Sequence, residues 1–440
     1  MAQRRLVRAV AVASAVLLAA GACGDGGGDT GSTDGGKKQV KIYGVDGNMG
    51  NALGEKFTDQ GALAGMRGTT PLTKLGDDFK KRMLGIDPKL KDFNYGGESY
   101  DAVIISALAA ETARSSKGTE IGKFINAITT GGEKCSAYKD CLALVKAGKD
   151  VDYDGVTGPL SFTDAGEPAK ASFGILQFGT NNKLDDAKTE YVLAGDDKNA
   201  TTKTVQAPPQ TQAFVGGPLK IGTLLPQTGS LAFLGPPEFA GVNLAVQEVN
   251  AEKGVNGKPV TVVNGDSGDA STDIANGTVD KAIQAGVSVI IGAASSSVSL
   301  KVIDKITSAG IVEISPANTS DKFTTYNDKN LYFRTAPPDT LQARALADTI
   351  IQDGTKKLGV LVLNDAYGTG LADNLVKNLE EAGIKSDSIV KKIYDPKATD
   401  FSSEIGAVKQ LNPDGIVVIG FDESATIIKQ LNEQGIGPKR

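Results

Sequence analysis

From Leu219 to the end of the chain, short apolar runs alternate with helical stretches, and this alternation constrains the fold more than any other feature. LKIGTLLP is followed by a helical stretch over about 238–252, then PVTVVNGD, a helix near 271–285, VSVIIGAA, a helix near 297–308, and GIVEISPA. After LYFRTAP the pattern resumes with a helix over 339–353, LGVLVLND, a helix over 368–382, SIVKKIYDP, a helix over 400–411, IVVIGFD and a helix over 423–434. Apolar runs of this length separated by helices form βαβ units, whose parallel strands are covered on both faces. The two series predict an α/β fold with two doubly wound parallel-sheet lobes, their cores at 218–337 and 338–440. At 40% hydrophobic and 22% charged residues, the chain has ample material for both.

The last helix is followed only by GIGPKR, whereas a parallel sheet normally continues with a strand. A matching strand stands at the other end, QVKIYGVDG at 39–47. Helical stretches follow at about 74–85, 98–114, 118–129 and 139–148, then strands at 160–162 and 172–179. Residues 195–217 are polar, contain Pro and Gly, and are expected to form a linker. The strand at 40–44 is therefore expected beside 416–420 of the same molecule. The alternative is two incomplete halves that need another chain.

The motifs KIGTLLPQTGSLAFLG, IIGAASSSVS, ISPANTS, YFRTAP and LNDAYGTGLA, with YGVDG, ESYDAV and DGVTGPLSF, resemble those of branched-chain amino acid (Leu/Ile/Val-type) substrate-binding proteins of ABC transporters. These belong to the type I periplasmic binding proteins. Residues 218–440 resemble the first two-thirds of that family and residues 39–194 its last third, so the chain looks circularly permuted. The resemblance implies two lobes hinged over a cleft that closes on a small ligand.

The first 22 residues read as an export signal: Arg4, Arg5 and Arg8, an apolar run from Ala9 to Ala20, then small residues before Cys23. The run is too short for a comfortable membrane span. Cys23 in this setting resembles the lipidated cysteine of bacterial lipoproteins, although Ala20 stands where leucine is usual. Ordinary signal cleavage is the alternative. Residues 23–38 have too few apolar groups to fold and are expected to form a flexible tether. Removing residues 1–22 takes away three arginines and no acid, leaving 44 basic against 52 acidic side chains, a balance of −8. Such a balance argues against nucleic-acid binding. With Cys23 lipidated, Cys135 and Cys141 remain, six apart in an oxidising compartment, and a local disulfide is expected; two buried free thiols are the alternative.

Ligands of open α/β sheets sit beyond the carboxyl ends of strands, near helix N-termini. IIGAASSSVS is such a place: Ser295, Ser296 and Ser297 offer hydroxyls beside unpaired helix N–H groups, a setting for a carboxylate. One serine serving simply as an N-cap is the plainer reading. The resemblance implies ligand contacts from Ser296 and Ser297, from Asn318 and Thr319 in ISPANTS, and from Asp46 in YGVDG as partner of an ammonium. It also implies aromatic walls from Tyr367 and Phe421. Phe233 is a further candidate for the side-chain pocket, with core packing as the alternative. Asp422 and Glu423 stand close by.

The chain contains no histidine, which excludes a Ser-His-Asp triad, a Cys-His pair and an HExxH zinc site. Three cysteines cannot supply four thiolates to a metal. Asp150, Asp152 and Asp154 before Gly155 imitate the start of an EF-hand loop, but Ser161 stands where a bidentate glutamate is required. The expectation is thus a non-enzyme without cofactor or metal: a monomeric lipoprotein on the outer face of the cell membrane. It would capture a small amino acid and hand it to an ABC transporter permease. A ligand sensor signalling to a membrane receptor is the alternative.

Overall fold

A computed structural model describes residues 40–438. The expected signal peptide, Cys23 and the tether lie outside them. Two sheets organise the chain. The smaller has five parallel strands in the order Tyr332–Arg334, Val312–Ser315, Val289–Gly292, Lys220–Leu224, Thr261–Val263. The larger has seven, in the order Ile389–Tyr394, Leu358–Leu363, Gly415–Ile419, Lys41–Gly44, Arg67–Pro71, Lys170–Gln177, Glu190–Gly195. LGVLVL and GIVVI are buried along their whole length, as befits central strands covered on both faces. The edge strand Ile389–Tyr394 is partly exposed and leaves Ile393 to solvent.

Strand Lys41–Gly44 lies parallel between Gly415–Ile419 and Arg67–Pro71, with Lys41 opposite Gly415 and Tyr43 opposite Val417. The sheet is therefore completed within one molecule by the two ends of the described chain, as the apolar patterns require. It differs from the expected all-parallel sheet in one respect. Lys170–Gln177 and Glu190–Gly195 pair antiparallel at its edge.

The stretch 39–194 divides between the lobes. Its helices Asp77–Ile86, Gly96–Thr112 and Tyr138–Lys146 share a core with the small sheet, whereas its first strands share one with the large sheet. Helix Gly96–Thr112 is buried on every side through Glu111. It crosses helix Gly235–Ala251 so closely that a Cβ on Gly241 would fall on the Gly96 carbonyl oxygen. Cys135 and Cys141 form a disulfide, their Cα atoms 5.3 Å apart, tying the short strand Glu133–Cys135 to helix Tyr138–Lys146.

Two expected elements change. Residues 160–162 form no strand, because Leu160 and Ser161 adopt left-handed backbone (φ 55° and 45°) that a strand excludes. The helix expected over 118–129 is interrupted by a 3₁₀ turn at Gly122–Phe124.

The backbone passes between the lobes at 72–76, 163–169, 196–219 and 335–338. The long third passage runs beside the second: Asp196 N–H donates to Ala169 O at 3.1 Å and Thr201 N–H to Phe162 O at 2.8 Å. Buried Arg334, at the start of the fourth, donates from Nε to Glu167 Oε2 (3.0 Å) in the second and from Nη1 to Ser320 O (2.7 Å).

Candidate functional site

The carboxyl ends of strands from both sheets face one cleft. On the small-sheet side, strand Val289–Gly292 leads into helix Ser296–Ser308 with Ser295 as N-cap. Ser295 has the extended backbone of a cap, yet its hydroxyl makes no capping bond; Oγ is buried without a partner. Such a group costs about 1–3 kcal/mol unless something satisfies it. Ser296 Oγ accepts from Ser320 N–H at 3.3 Å. Ser297 turns toward the other lobe, donating to Asp365 Oδ2 (3.2 Å) and accepting from Ala366 N–H (3.1 Å).

The loop after strand Val312–Ser315 places Asn318 and Thr319 differently. Asn318 is fully buried and committed to the scaffold: Nδ2 donates to Ala294 O (2.8 Å), and Oδ1 accepts from Tyr332 OH (3.0 Å). It does not line the cleft cavity. Thr319 does, and its buried Oγ1 is set against the buried Asp339 carboxyl without a hydrogen bond of regular geometry.

On the large-sheet side, Asp46 follows strand Lys41–Gly44 and is 5% exposed. Its Oδ1 accepts from Tyr367 OH (2.6 Å) and Gln342 Nε2 (2.8 Å), and its Oδ2 from Tyr95 OH (2.7 Å). Burial pushes the Asp46 carboxyl above its ordinary value, and these three donors pull it part of the way back. Asp339, fully buried near by, is raised by burial and by the Asp46 charge. Tyr367 stacks on Phe421 at 5.4 Å between ring centres, 12° from parallel.

These groups enclose a small cavity. Ser295, Ser296 and Thr319 stand on one wall and Asp46, Tyr367 and Phe421 on another, with Leu231, Leu234 and Ala317 as apolar lining. Phe233 packs on this apolar cluster without reaching the cavity wall. Asp422 pairs with Lys56 at 3.0 Å on the surface. In the apparent EF-hand start, Asp152 and Asp154 both pair with Lys134 (3.1 and 2.9 Å).

The sequence reading overlooked Tyr95 and Gln342. Tyr95 caps helix Gly96–Thr112 with left-handed backbone (φ 59°), which no local pattern announces for a tyrosine. Gln342 sits one turn into helix Asp339–Gln352, on a face that reads as ordinary amphipathic helix. Of the three serines, Ser295 carries the unpartnered hydroxyl, while Ser296 and Ser297 are hydrogen-bonded.

The cleft thus sets hydroxyls and a helix N-terminus on one wall against a buried carboxylate on the other. The chain belongs to the periplasmic binding protein family, whose sequence profile matches residues 218–440, just over half of it. It is 33% identical over 224 residues to Leu/Ile/Val-binding protein homolog 2 of Brucella abortus, covering 50% of this chain and 58% of that protein. It is 29% identical over 231 residues to homolog 8 of the same organism, covering 50% and 56%. The chain thus spans little more than half the length of these relatives. Among solved structures, it is similar to a leucine-binding protein from Thermotoga maritima (24% identity, 50% of this chain and 61% of that one, TM-score 0.45). It is also similar to a branched-chain amino acid transporter substrate-binding protein from Streptococcus pneumoniae in complex with isoleucine (27% identity, 50% and 63%, TM-score 0.44).

Proposed function

We propose that the protein captures a small amino acid, branched-chain or similar, between its two lobes and delivers it to an ABC transporter. The observation that carries this reading is the buried, unpartnered hydroxyl of Ser295, with Thr319 beside it, facing the buried Asp46 carboxylate across one small cavity. Ser295 Oγ, Thr319 Oγ1 and the first N–H groups of helix Ser296–Ser308 bind the α-carboxylate. Asp46 binds the ammonium, and Leu231, Leu234 and Phe421 form the apolar part of the wall.

Binding proceeds by hinge closure: the cavity walls come from both lobes, so the ligand favours the form that brings them together. The Ser297–Asp365 bond then joins the lobes directly. Lipidation of Cys23 would hold the protein at the outer face of the cell membrane, with residues 23–38 as its leash. In this reading the chain is a circular permutant, with 195–217 joining the family's usual ends. The position of strand Lys41–Gly44 beside Gly415–Ile419 supports that arrangement.

The test is a thermal-shift panel of the twenty amino acids. At a hundredfold excess over Kd a ligand adds about 2.7 kcal/mol to the folded state, a readily visible rise in Tm. A folded sample whose Tm moves with none of them refutes the reading.

A further inference from the structure

The cleft does not end at the small cavity. A second chamber, about 120 Å³ in volume, continues from it and shares Leu231, Ser295 and Phe421 with it. It is lined by both lobes: the 267–271 loop on the small-sheet side, and Leu363, Asp365, Pro396, Lys397 and Glu423 on the other. Resting on the amino-acid reading of the inner cavity, we propose that the ligand is an α-amino acid with an extended side chain ending in N–H donors, an amine, guanidinium or amide, and that this tail lies in the second chamber.

Three observations carry the proposal. The gate is placed for a tail, because Ser295 borders both spaces: a ligand whose carboxylate is held there has its remaining atoms at the chamber's entrance. The inner cavity is much the smaller of the two spaces, so ligand atoms beyond the head group have the chamber as their way out.

The chamber's chemistry is that of an acceptor. Glu423 Oε1 takes hydrogen bonds from Tyr394 OH (2.8 Å) and Phe421 N–H (2.9 Å), which fix the carboxylate and leave Oε2 without one. Asp365, held by Gly368 N–H at 2.7 Å, stands in the same wall, and the two negative charges repel each other. Burial raises both carboxyls, Asp365 to about 6. A donor-bearing or cationic tail would relieve that cost. Lys397 is the one basic side chain among the lining residues and makes no ion pair with either carboxylate. An aliphatic tail would leave this wall unanswered, and an anionic one would add its charge to the three lining carboxylates Asp269, Asp365 and Glu423.

The test is isothermal titration of the full chain with L-lysine, L-arginine, L-glutamine, L-leucine and L-alanine. It is repeated on Ser271→Phe, which narrows the chamber from an exposed loop position, and on Glu423→Gln. The expected result is that at least one of the donor-bearing amino acids binds about tenfold tighter than leucine. Ser271→Phe should erase that advantage while alanine binding stays within about threefold, and Glu423→Gln should weaken the preferred donor-bearing ligand more than alanine. Leucine binding as tightly as every donor-bearing amino acid, or a Ser271→Phe effect equal for alanine and the preferred ligand, overturns the proposal and leaves the head-group reading standing. Binding by none of the five overturns the proposal, and binding by none of the twenty amino acids overturns the head-group reading as well.

Discussion

Replacing Asp46 by Asn separates binding from stability. Asp46 is the one carboxylate in the inner cavity wall, and the ammonium of a bound amino acid has no other charge partner there. A hydrogen bond to a charged group contributes about 1.5–3 kcal/mol. At about 1.4 kcal/mol per tenfold, its loss weakens binding by about 10- to 150-fold. The free protein should respond in the opposite sense. Burial holds the Asp46 carboxyl above its ordinary 3.8, against the pull of Tyr367, Tyr95 and Gln342. A raised folded-state pKa gives stability that is full below the unfolded value and lost as pH rises through the raised one. Ionised Asp46 thus destabilises the unliganded fold at neutral pH. Asn removes that charge, and its Oδ1 still accepts from Tyr367 or Gln342. Titration calorimetry with the best ligand of the panel, paired with urea denaturation of the free protein, reads both effects. The expected outcome is a much weaker Kd with an unliganded stability equal to or above that of the parent. A variant that binds as tightly as the parent refutes the assignment of Asp46 to the ammonium. One that loses binding only because it unfolds refutes the claim that its charge is a cost to the free protein.

The other predictions concern the opposite wall and the passages between the lobes. Ser295→Ala with Thr319→Val should weaken ligand binding at least tenfold, and because the Ser295 hydroxyl has no partner in the free protein, the unliganded Tm of Ser295→Ala alone should hold or rise. Glu167→Gln leaves the Arg334 guanidinium buried without its counter-charge and should cost about 3–5 kcal/mol, read as a fall in the urea midpoint. Glu98, buried at the start of helix Gly96–Thr112, is pushed up to about 8, first by burial and then by Asp101. Its contribution to stability is therefore full below about 4.5 and lost as pH rises through 8, and Glu98→Gln should flatten the denaturation profile across that window.

What the sequence disclosed depended on the range over which each feature is determined. LGVLVL and GIVVI are legible as central strands because burial on both faces demands an unbroken apolar run. The place of KIYG beside GIVVI followed from completing the sheet, whereas its other neighbour, Arg67–Pro71, has no such pattern to announce it. The cleft was legible for the same reason, since topology alone puts strand ends and helix N-termini together. The side chains within it were harder. Along a helix start, one residue turns a side chain by about 100°. So which of three serines looks into the cleft depends on where helix Ser296–Ser308 begins, and helix boundaries are uncertain by a residue or two from sequence. That is why Ser295 rather than Ser296 carries the open hydroxyl, and why Ser297 instead reaches Asp365. Asn318 reads as a loop residue free to bind, yet Ala294 O and Tyr332 OH, both distant in sequence, claim its amide. Tyr95 is the extreme case. Its hydroxyl reaches Asp46 because a left-handed residue starts a helix from the other lobe, and that placement is set by the packing of Gly96 against Gly241 rather than by any neighbour in the chain. The two residues hidden from the sequence are thus hidden for different reasons: Tyr95 carries a contact between the lobes, which only their closing creates, whereas Gln342 binds Asp46 and Thr69 within one lobe, through strands far from it in the chain.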